Sequence, residues 1–438
     1  MAALVDLLAV AGADPSTVLD VFAEWATASG RPLYGHQEEA ALALAADEHV
    51  VLATPTGSGK SLVAIAGIVL ALNAGRRAVW TAPIKALVAE KFFDLVDLLG
   101  AEQVGLATGD ASINPGAPVL VCTAEVLANH ALAHGAAAGF GFACLDEFHY
   151  YADRDRGWAW QIPLLEMTNC QMLLASATLG DMTPIITDLE RRSGRSVTAV
   201  TSVDRPTPLY HQWRMTSVAD SVLDAVKEGL SPVYVVHANQ AAAIERAQSL
   251  VSMSVTTRSQ REAIVAAMAG EKMGRGFGLT LDRLIRNGVG VHHAGMLPRY
   301  RRLVERLAGA GLLPVICGTD TLGVGVNIPI RTVLMTALTK FDGSRVRMFT
   351  VREFHQLAGR AGRPGFDPDG HVWVQAPDHV IENSRALAKA GDDPKARRKA
   401  TKAKAPEGFV HYDEASMQRL ITGSPEPLTS RFRVTPDL

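Results

Sequence analysis

Short runs of consecutive apolar residues alternate along the chain with segments whose apolar positions recur every three or four residues. Between 33 and about 205 the runs are HVVLA (49–53), RAVWTAP (77–83), PVLVCTA (118–124), FACLDE (142–147) and MLLASAT (172–178). A strand that is apolar on both faces belongs in a parallel sheet covered on both sides, and the helical segments between the runs supply that cover. The pattern restarts with SPVYVVHAN (231–239), GVGVHHAG (288–295), LPVICGTDT (313–321), RTVLMTALT (331–339) and GHVWVQAP (370–377). The prediction is an α/β chain of two tandem units, 33–205 and 206–380. They join near VDRPTPLYHQW (203–213), where Pro206 and Pro208 break any helix.

Smaller elements surround this frame. Residues 1–32 read as a helical segment, with DPSTVLDVFAEWATASG capped by Asp14 or Ser16 and stopped at Gly30. Segment 252–287 is helical in pattern and reads as an insert within the second unit. From 381 to 408, most plainly in NSRALAKAGDDPKARRKATKAKAPEG (383–408), basic residues crowd out apolar ones. That is a solvated linker or, in the alternative, a surface that faces nucleic acid. Residues 409–438 read as the start of a truncated C-terminal region.

Composition narrows the class. A chain of 438 residues with 48% hydrophobic and 20% charged residues is a folded protein of two to three domains. Its net charge of -2 does not advertise a nucleic-acid binder, so any such surface must be local. No Lys or Arg precedes Arg31, and the longest apolar run, Leu62–Leu72, is shorter than the roughly 20 residues of a membrane span. The four cysteines form no C-x-x-C pair, which predicts reduced core thiols in a cytoplasmic protein rather than a zinc site or disulfide framework.

The richest chemistry lies in VVLATPTGSGKSLVAIAGIVLALNAG (50–75). A phosphate-binding loop needs a buried strand, a turn whose N–H groups point inward, and a helix N-terminus facing the phosphates. Thr56, Gly57, Ser58 and Gly59 would form the turn, Lys60 would reach the β/γ-phosphates, and Ser61 would hold Mg²⁺. Thr54 stands where the strict G-x-x-x-x-G-K-S/T pattern has glycine. A plain strand–turn–helix junction with a surface lysine is the alternative. FACLDEFH, about 90 residues on, decides for an ATPase. Asp146 fits the role of holding Mg²⁺ through water, and Glu147 that of polarising the attacking water.

At these residues the chain resembles the superfamily 2 helicases of the DExH-box kind, with DEFH (146–149) as the box and TPTGSGKS as an ordinary family form. The resemblance implies two RecA-like domains with ATP in the cleft between them. Gln37, in YGHQEEA, matches an adenine-reading glutamine. Pro83 and Lys85 in APIKALVAEK, Thr108 and Gly109 in TGD, and Thr123 in TAEVL match nucleic-acid contacts, as do Thr319 in GTDTLGVGVNIP and His292 and His293 in HHAG. The histidine pair lacks the neighbours a metal would need. Ser176 and Thr178 of SAT match the motif that couples ATP state to domain closure, and His149 is expected to bridge to the other domain's motifs. Gly325 and Asn327 fall on the nucleotide side. Gln356, Arg360 and Arg363 in HQLAGRAGRPG match the last motif. The two arginines, three apart, are expected on one helical face as arginine fingers. Such a group gives about 10³–10⁵ in turnover, or roughly 4–7 kcal/mol of barrier. Trp158 and Trp160 read as core residues rather than stacking platforms.

GLATGDASINPGAPVLVCTAEVL, DEFHYYADRDRGWAWQ, GVGVHHAGMLPRYRRLVE, LTKFDGS and SPEPLTSRFR look like the superkiller-type branch, over about residues 33–435. That branch implies ATP and Mg²⁺, 3′→5′ translocation on single-stranded or 3′-overhang nucleic acid, and a duplex-splitting hairpin near 340–352. It also implies RNA in preference to DNA, a nuclease partner, no membrane, and a cytoplasmic monomer. A DNA-repair helicase and an ATP-switched clamp that does not unwind are the rivals. Only the basic stretch stands where exosome-linked members insert an arch domain. The sequence stops where the family begins its winged-helix and ratchet domains, so a fragment and a minimal motor both fit.

Overall fold

The computed structural model describes residues 4, 14–201, 205, 207–320, 328–363, 366–391 and 403–430. The chain divides into two compact units, Met1–Arg205 with Pro425–Leu438, and Pro206–Ser424. Each is a parallel sheet flanked by helices, the mixed α/β architecture of RecA-like domains.

The first unit opens with helices α1 (Pro15–Ala28) and α2 (Gly35–Ala45). Asp14 caps α1 by accepting from Thr17 N at 3.1 Å, and Val18, Leu19, Phe22, Trp25 and Ala26 form its buried face. The sheet comprises β1 (His49–Ala53), β2 (Arg77–Ala82), β3 (Val104–Ala107), β4 (Ser112–Ile113), β5 (Val119–Thr123), β6 (Phe140–Asp146), β7 (Gln171–Ser176) and β8 (Val197–Thr201). Its order is β4-β3-β5-β2-β6-β7-β1-β8, parallel except where β4 meets β3. Helix α3 (Lys60–Asn73) follows β1 and is buried without a break from Leu62 to Ala71, as a helix apolar on all sides must be. Helices α4 (Lys85–Leu99), α5 (Ala124–His134), α6 (Trp158–Glu166) and α7 (Thr183–Ser193) complete the cover.

The second sheet has β9 (Leu209–Arg214), β10 (Val233–His237), β11 (Val289–His292), β12 (Val315–Thr319), β13 (Thr332–Met335) and β16 (Gly370–Gln375). Its order is β11-β12-β10-β13-β16-β9 and every pairing is parallel. Helices α8 (Val218–Lys227), α9 (Gln240–Leu250), α10 (Arg258–Ala267), α11 (Phe277–Arg286) and α12 (Pro298–Gly309) flank it. A hairpin, β14 (Thr339–Phe341) with β15 (Val346–Met348), precedes α13 (Val351–Ala358). Helices α14 (Asp378–Ala390) and α15 (Glu414–Thr422) close the unit.

Departures from the sequence reading have physical causes. Half of the expected joint, LYHQWR, is edge strand β9, in register with β16 from Leu209↔Gly370 to Arg214↔Gln375. An edge strand with one wet face alternates apolar and polar residues and so hides from a search for continuous apolar runs. Helices α10 and α11, in the segment read as a helical insert, contribute Ile264, Leu281, Leu284 and Ile285 to the main core of the unit. The first part of the expected basic linker is α14, anchored by buried Ile381 and by Asn383, which exchanges hydrogen bonds with the backbone of Ala403 at 2.7 and 3.0 Å. Residues 392–402 of that stretch lie outside the described residues.

All four cysteines are buried free thiols. No described helix is long and apolar enough to cross a membrane.

Candidate nucleotide site

Strand β1 ends at Ala53 and α3 begins at Lys60, so the loop Thr54–Gly59 sits at a carboxyl edge of the sheet with a helix N-terminus behind it. Gly59 adopts φ +79°, which an L side chain resists, and a Cβ there would lie 2.2 Å from Gln37 Nε2. Thr54 Oγ1 and Ser58 Oγ, both fully buried, meet at 2.6 Å and pin the start of the loop to its end. Lys60 Nζ donates to the carbonyls of Thr54 (2.8 Å) and Pro55 (2.9 Å). Burial lowers the lysine's pKa, and the charges of Glu147 and Asp146 oppose that shift. The loop is therefore close enough to the acid pair for their charges to interact.

Gln37 is 1% exposed, and its amide is spent on the loop. It donates to the carbonyls of Ser58 (3.1 Å) and Gly59 (2.9 Å), and its Oε1 accepts from Tyr34 N at 2.8 Å. His36 Nε2 stands 3.0 Å from the same Ser58 carbonyl.

Asp146 closes β6 and Glu147 turns the chain with φ 50°, a left-handed conformation rare for glutamate. Glu147 N donates to Asp146 Oδ1 at 2.9 Å, and Trp80 Nε1 reaches Asp146 Oδ2 at 3.4 Å. Burial first, then the negative charge of Glu147, raises Asp146 to a pKa of about 6. Two carboxylates crowded this way gain from a cation between them. Among the described residues no group of three His, Cys, Asp or Glu side chains gathers as a metal cage. Ser61 and Asp146 carry oxygen donors of the kind that Mg²⁺ accepts.

His149 Nδ1 lies 3.3 Å from Glu147 Oε2 and 3.0 Å from Ser176 Oγ. Ser176 Oγ in turn accepts from Thr178 N at 3.4 Å. Within the first unit His149 thus joins DEFH to SAT. Trp160 is fully buried, and its Nε1 donates to the Asp146 carbonyl at 3.1 Å.

Of the expected strand contacts, Lys85, Thr108 and Gly109 reach the surface together. Lys85 Nζ and Thr108 Oγ1 share Asp110 Oδ1 at 2.9 and 2.8 Å. Pro83 and Thr123 are buried, and sequence reasoning missed the residue that binds their motifs together. Arg156 donates to the Pro83 carbonyl and to Glu125 Oε1 (2.7 Å for Nε). Only its place in DRDRG, seven residues after the box, could have signalled it.

In the second unit Thr319 ends β12, buried, with its carbonyl accepting from Tyr234 at 2.6 Å. His292 and His293 are buried at 3% and 5% exposure, and His292 Nε2 bonds Glu305 Oε1 at 2.8 Å. Gln356 lies on α13, half-buried. Arg360 and Arg363 do not share a helical face. α13 ends at Ala358, and Gly362, at φ +73°, turns the chain between them. Arg363 forms a two-pronged pair with Asp367, at 2.8 Å from Nε and 2.9 Å from Nη2. Gly325 and Asn327 lie outside the described residues.

A family model described as DEAD/DEAH box helicase matches residues 34–184, and one described as Helicase conserved C-terminal domain matches 245–365. The chain carries the paired domains of a superfamily 2 DExH/DEAD-box helicase. Its two matched domains are those of an ATP-dependent helicase, and they take in both motif-bearing units. Residues 376–438 of the helicase match a third model, described as a domain of unknown function (DUF3516). The chain is 31% identical to the probable helicase HelY of Mycobacterium tuberculosis, over 77% of this chain and 45% of that protein. It is 29% identical to Superkiller complex protein 2 of Mus musculus, over 91% of this chain and 35% of that protein. It is 27% identical to the DExH-box ATP-dependent RNA helicase DExH11 of Arabidopsis thaliana, over 91% and 35% respectively. The helicase thus spans less than half the length of these relatives.

Proposed function

We propose that this helicase is an ATP-driven motor that moves 3′→5′ along a single strand, RNA in preference to DNA, and separates duplexes carrying a 3′ overhang. The observation that carries the reading is the continuous wiring of the first unit. Gln37 holds the phosphate loop, Lys60 lies under the influence of Asp146 and Glu147, and His149 links Glu147 to Ser176 of SAT.

In this mechanism Lys60 leaves the Thr54 and Pro55 carbonyls to meet the β/γ-phosphates, and the N–H groups of Thr56–Gly59 and the α3 N-terminus orient them. Ser61 and Asp146 would hold Mg²⁺, which would supply positive charge against the phosphate oxygens. Glu147 holds and polarises the attacking water. Arg360 and Arg363 of the second unit, with Gln356, supply transition-state charge, which requires Arg363 to release Asp367. His149 passes the state of Glu147 to Ser176 and Thr178, and Lys85, Thr108, Gly109 and Thr319 grip the strand backbone without reading sequence.

The RNA preference comes from the printed name of the Arabidopsis relative, and the printed name of the mouse relative, a protein of a complex, supports work within an assembly. The test is ATPase turnover with and without single-stranded RNA or DNA, together with displacement of duplexes bearing 3′ or 5′ overhangs. RNA stimulation and 3′-overhang preference are expected, and Lys60→Ala and Glu147→Gln should abolish both activities. Stimulation by DNA alone would favour a repair helicase, and stimulation without displacement a clamp.

A further inference from the structure

A cavity of about 450 Å³ opens in the second unit at the carboxyl ends of β10, β13 and β16. His237, Thr336 and Gln375 form its floor; His379, Lys404 and Phe409 form its roof. The roof comes wholly from the segment matched to the domain of unknown function. The chain leaves β10 toward β11 on one side of the sheet and leaves β13 toward β16 on the other. The carboxyl ends of these two neighbours therefore flank a point where connections diverge, the place where open parallel sheets hold ligands.

Two buried polar atoms in this wall lack hydrogen-bond partners among the described residues. His237 is 6% exposed and its Nε2 makes no hydrogen bond; Arg246 Nε is buried and makes none either. Buried donors without partners are rare in folded proteins and mark a place for a ligand or water. Burial, then the charge of Arg246, lowers the His237 pKa to about 4, so the ring is neutral at pH 7. Its unpartnered nitrogen can meet the polar edge of a ring.

The rest of the lining selects a class of ligand. A guanidinium suits a phosphate, and Lys404 adds positive charge at the exposed rim. Phe409, with the His379 ring edge-on at 4.9 Å, offers an aromatic wall on which a base can stack. Asp378 and Glu382 also line the rim. They accept from hydroxyl or amino groups and repel a polyphosphate. The volume suits a small organic molecule rather than an inorganic ion. We propose that this cavity is a second nucleotide site, which takes one nucleotide unit with its phosphate on Arg246 and its base against Phe409.

That unit is either a free mononucleotide or one residue of a bound strand, and only the strand source rests on the helicase reading. The test is equilibrium dialysis of labelled UMP against the full chain carrying Lys60→Ala, which disables the phosphate loop. One bound equivalent is expected, weakened about tenfold or more by Arg246→Ala and about threefold by Lys404→Ala at the solvent-facing rim, where folding is not at stake. Displacement of UMP by a single-stranded oligouridylate, with the same sensitivity to both substitutions, assigns the strand source; no displacement assigns the free nucleotide. Absence of UMP binding at millimolar concentration, or binding that neither substitution changes, overturns the proposal. In the chain with Lys60 intact, both substitutions should leave ATPase turnover without strand unchanged. Failure of this site is thereby distinguishable from failure of the motor.

Discussion

Glu353 grips the guanidinium of Arg347 with both carboxylate oxygens, at 2.7 and 2.8 Å, while standing 3.2 Å from Lys340 Nζ. Lys340 lies on β14 and Arg347 on β15, so one side chain in the first turn of α13 fastens both strands of the hairpin. Lys340 also pairs with Asp320, just past β12, at 2.5 Å. Burial alone would push Glu353 up in pKa, yet Arg347, Thr350 N–H and Lys340 bring it down to about 2. Glu353→Gln keeps the shape and the helix cap but removes the charge, weakening the anchorage by about 1–3 kcal/mol. The expected result is a larger loss in duplex displacement than in strand-stimulated ATPase. Base pairs opened per ATP measures it, and a proportional fall in both would show that the hairpin's anchorage does not set coupling.

Restoring the strict loop pattern should impair this protein. Thr54 Oγ1 meets Ser58 Oγ inside a fully buried pair, so Thr54→Gly strands the serine hydroxyl and frees the backbone. The cost is about 1–3 kcal/mol for the unpaired group, plus up to about 1 kcal/mol of chain entropy. A lower melting temperature and a raised KM for ATP are expected, with Thr54→Ser close to the parent. An unchanged KM in Thr54→Gly would mean that the threonine is not what holds the loop.

Ser176 offers a way to cut the wire without touching the acids. Ser176→Ala removes one partner of His149 and one of Thr178 N while leaving Glu147 in place. Basal ATPase should stay within about fivefold, since one neutral hydrogen bond contributes near 1 kcal/mol, and stimulation by a strand should fall much further. The ratio of stimulated to basal turnover reads this directly. A ratio equal to the parent's removes Ser176 from the coupling path.

The α/β class was legible because ten buried strands are near-continuous apolar runs, and fully buried parallel strands have to be. What stayed hidden was amphipathic or short. Strand β9 alternates, β3 contains a glycine, and α14 hides one anchor, Ile381, among lysines and arginines. In the candidate site, residue types and spacing were readable while partners were not. No spacing rule pairs Gln37 with the carbonyls of Ser58 and Gly59, Arg156 with Pro83, or Trp80 with Asp146. Those contacts come from folding distant segments together. The helical-face expectation for Arg360 and Arg363 failed for a local reason, a left-handed Gly362 that spacing alone does not reveal.

Asp146 gives the site a pH signature that needs no turnover assay. Burial and then Glu147 raise it to about 6, above the ordinary aspartate value of about 3.9. An acid that holds its proton more tightly when folded stabilises the fold at low pH, and that contribution is lost as pH rises from about 4 through about 6. The loss is about 1–3 kcal/mol. Without divalent cation, the parent's melting temperature should therefore fall relative to Asp146→Asn as pH rises from about 4.5 to 7. The asparagine variant stays neutral throughout and should be the more stable of the two at pH 7. Adding Mg²⁺ with a non-hydrolysable ATP analogue should reverse the order at pH 7, because only the parent keeps a carboxylate for the cation. If chelation leaves the two melting curves parallel across that range, Asp146 does not hold its proton at pH 5 and the cation role assigned to it loses its physical basis.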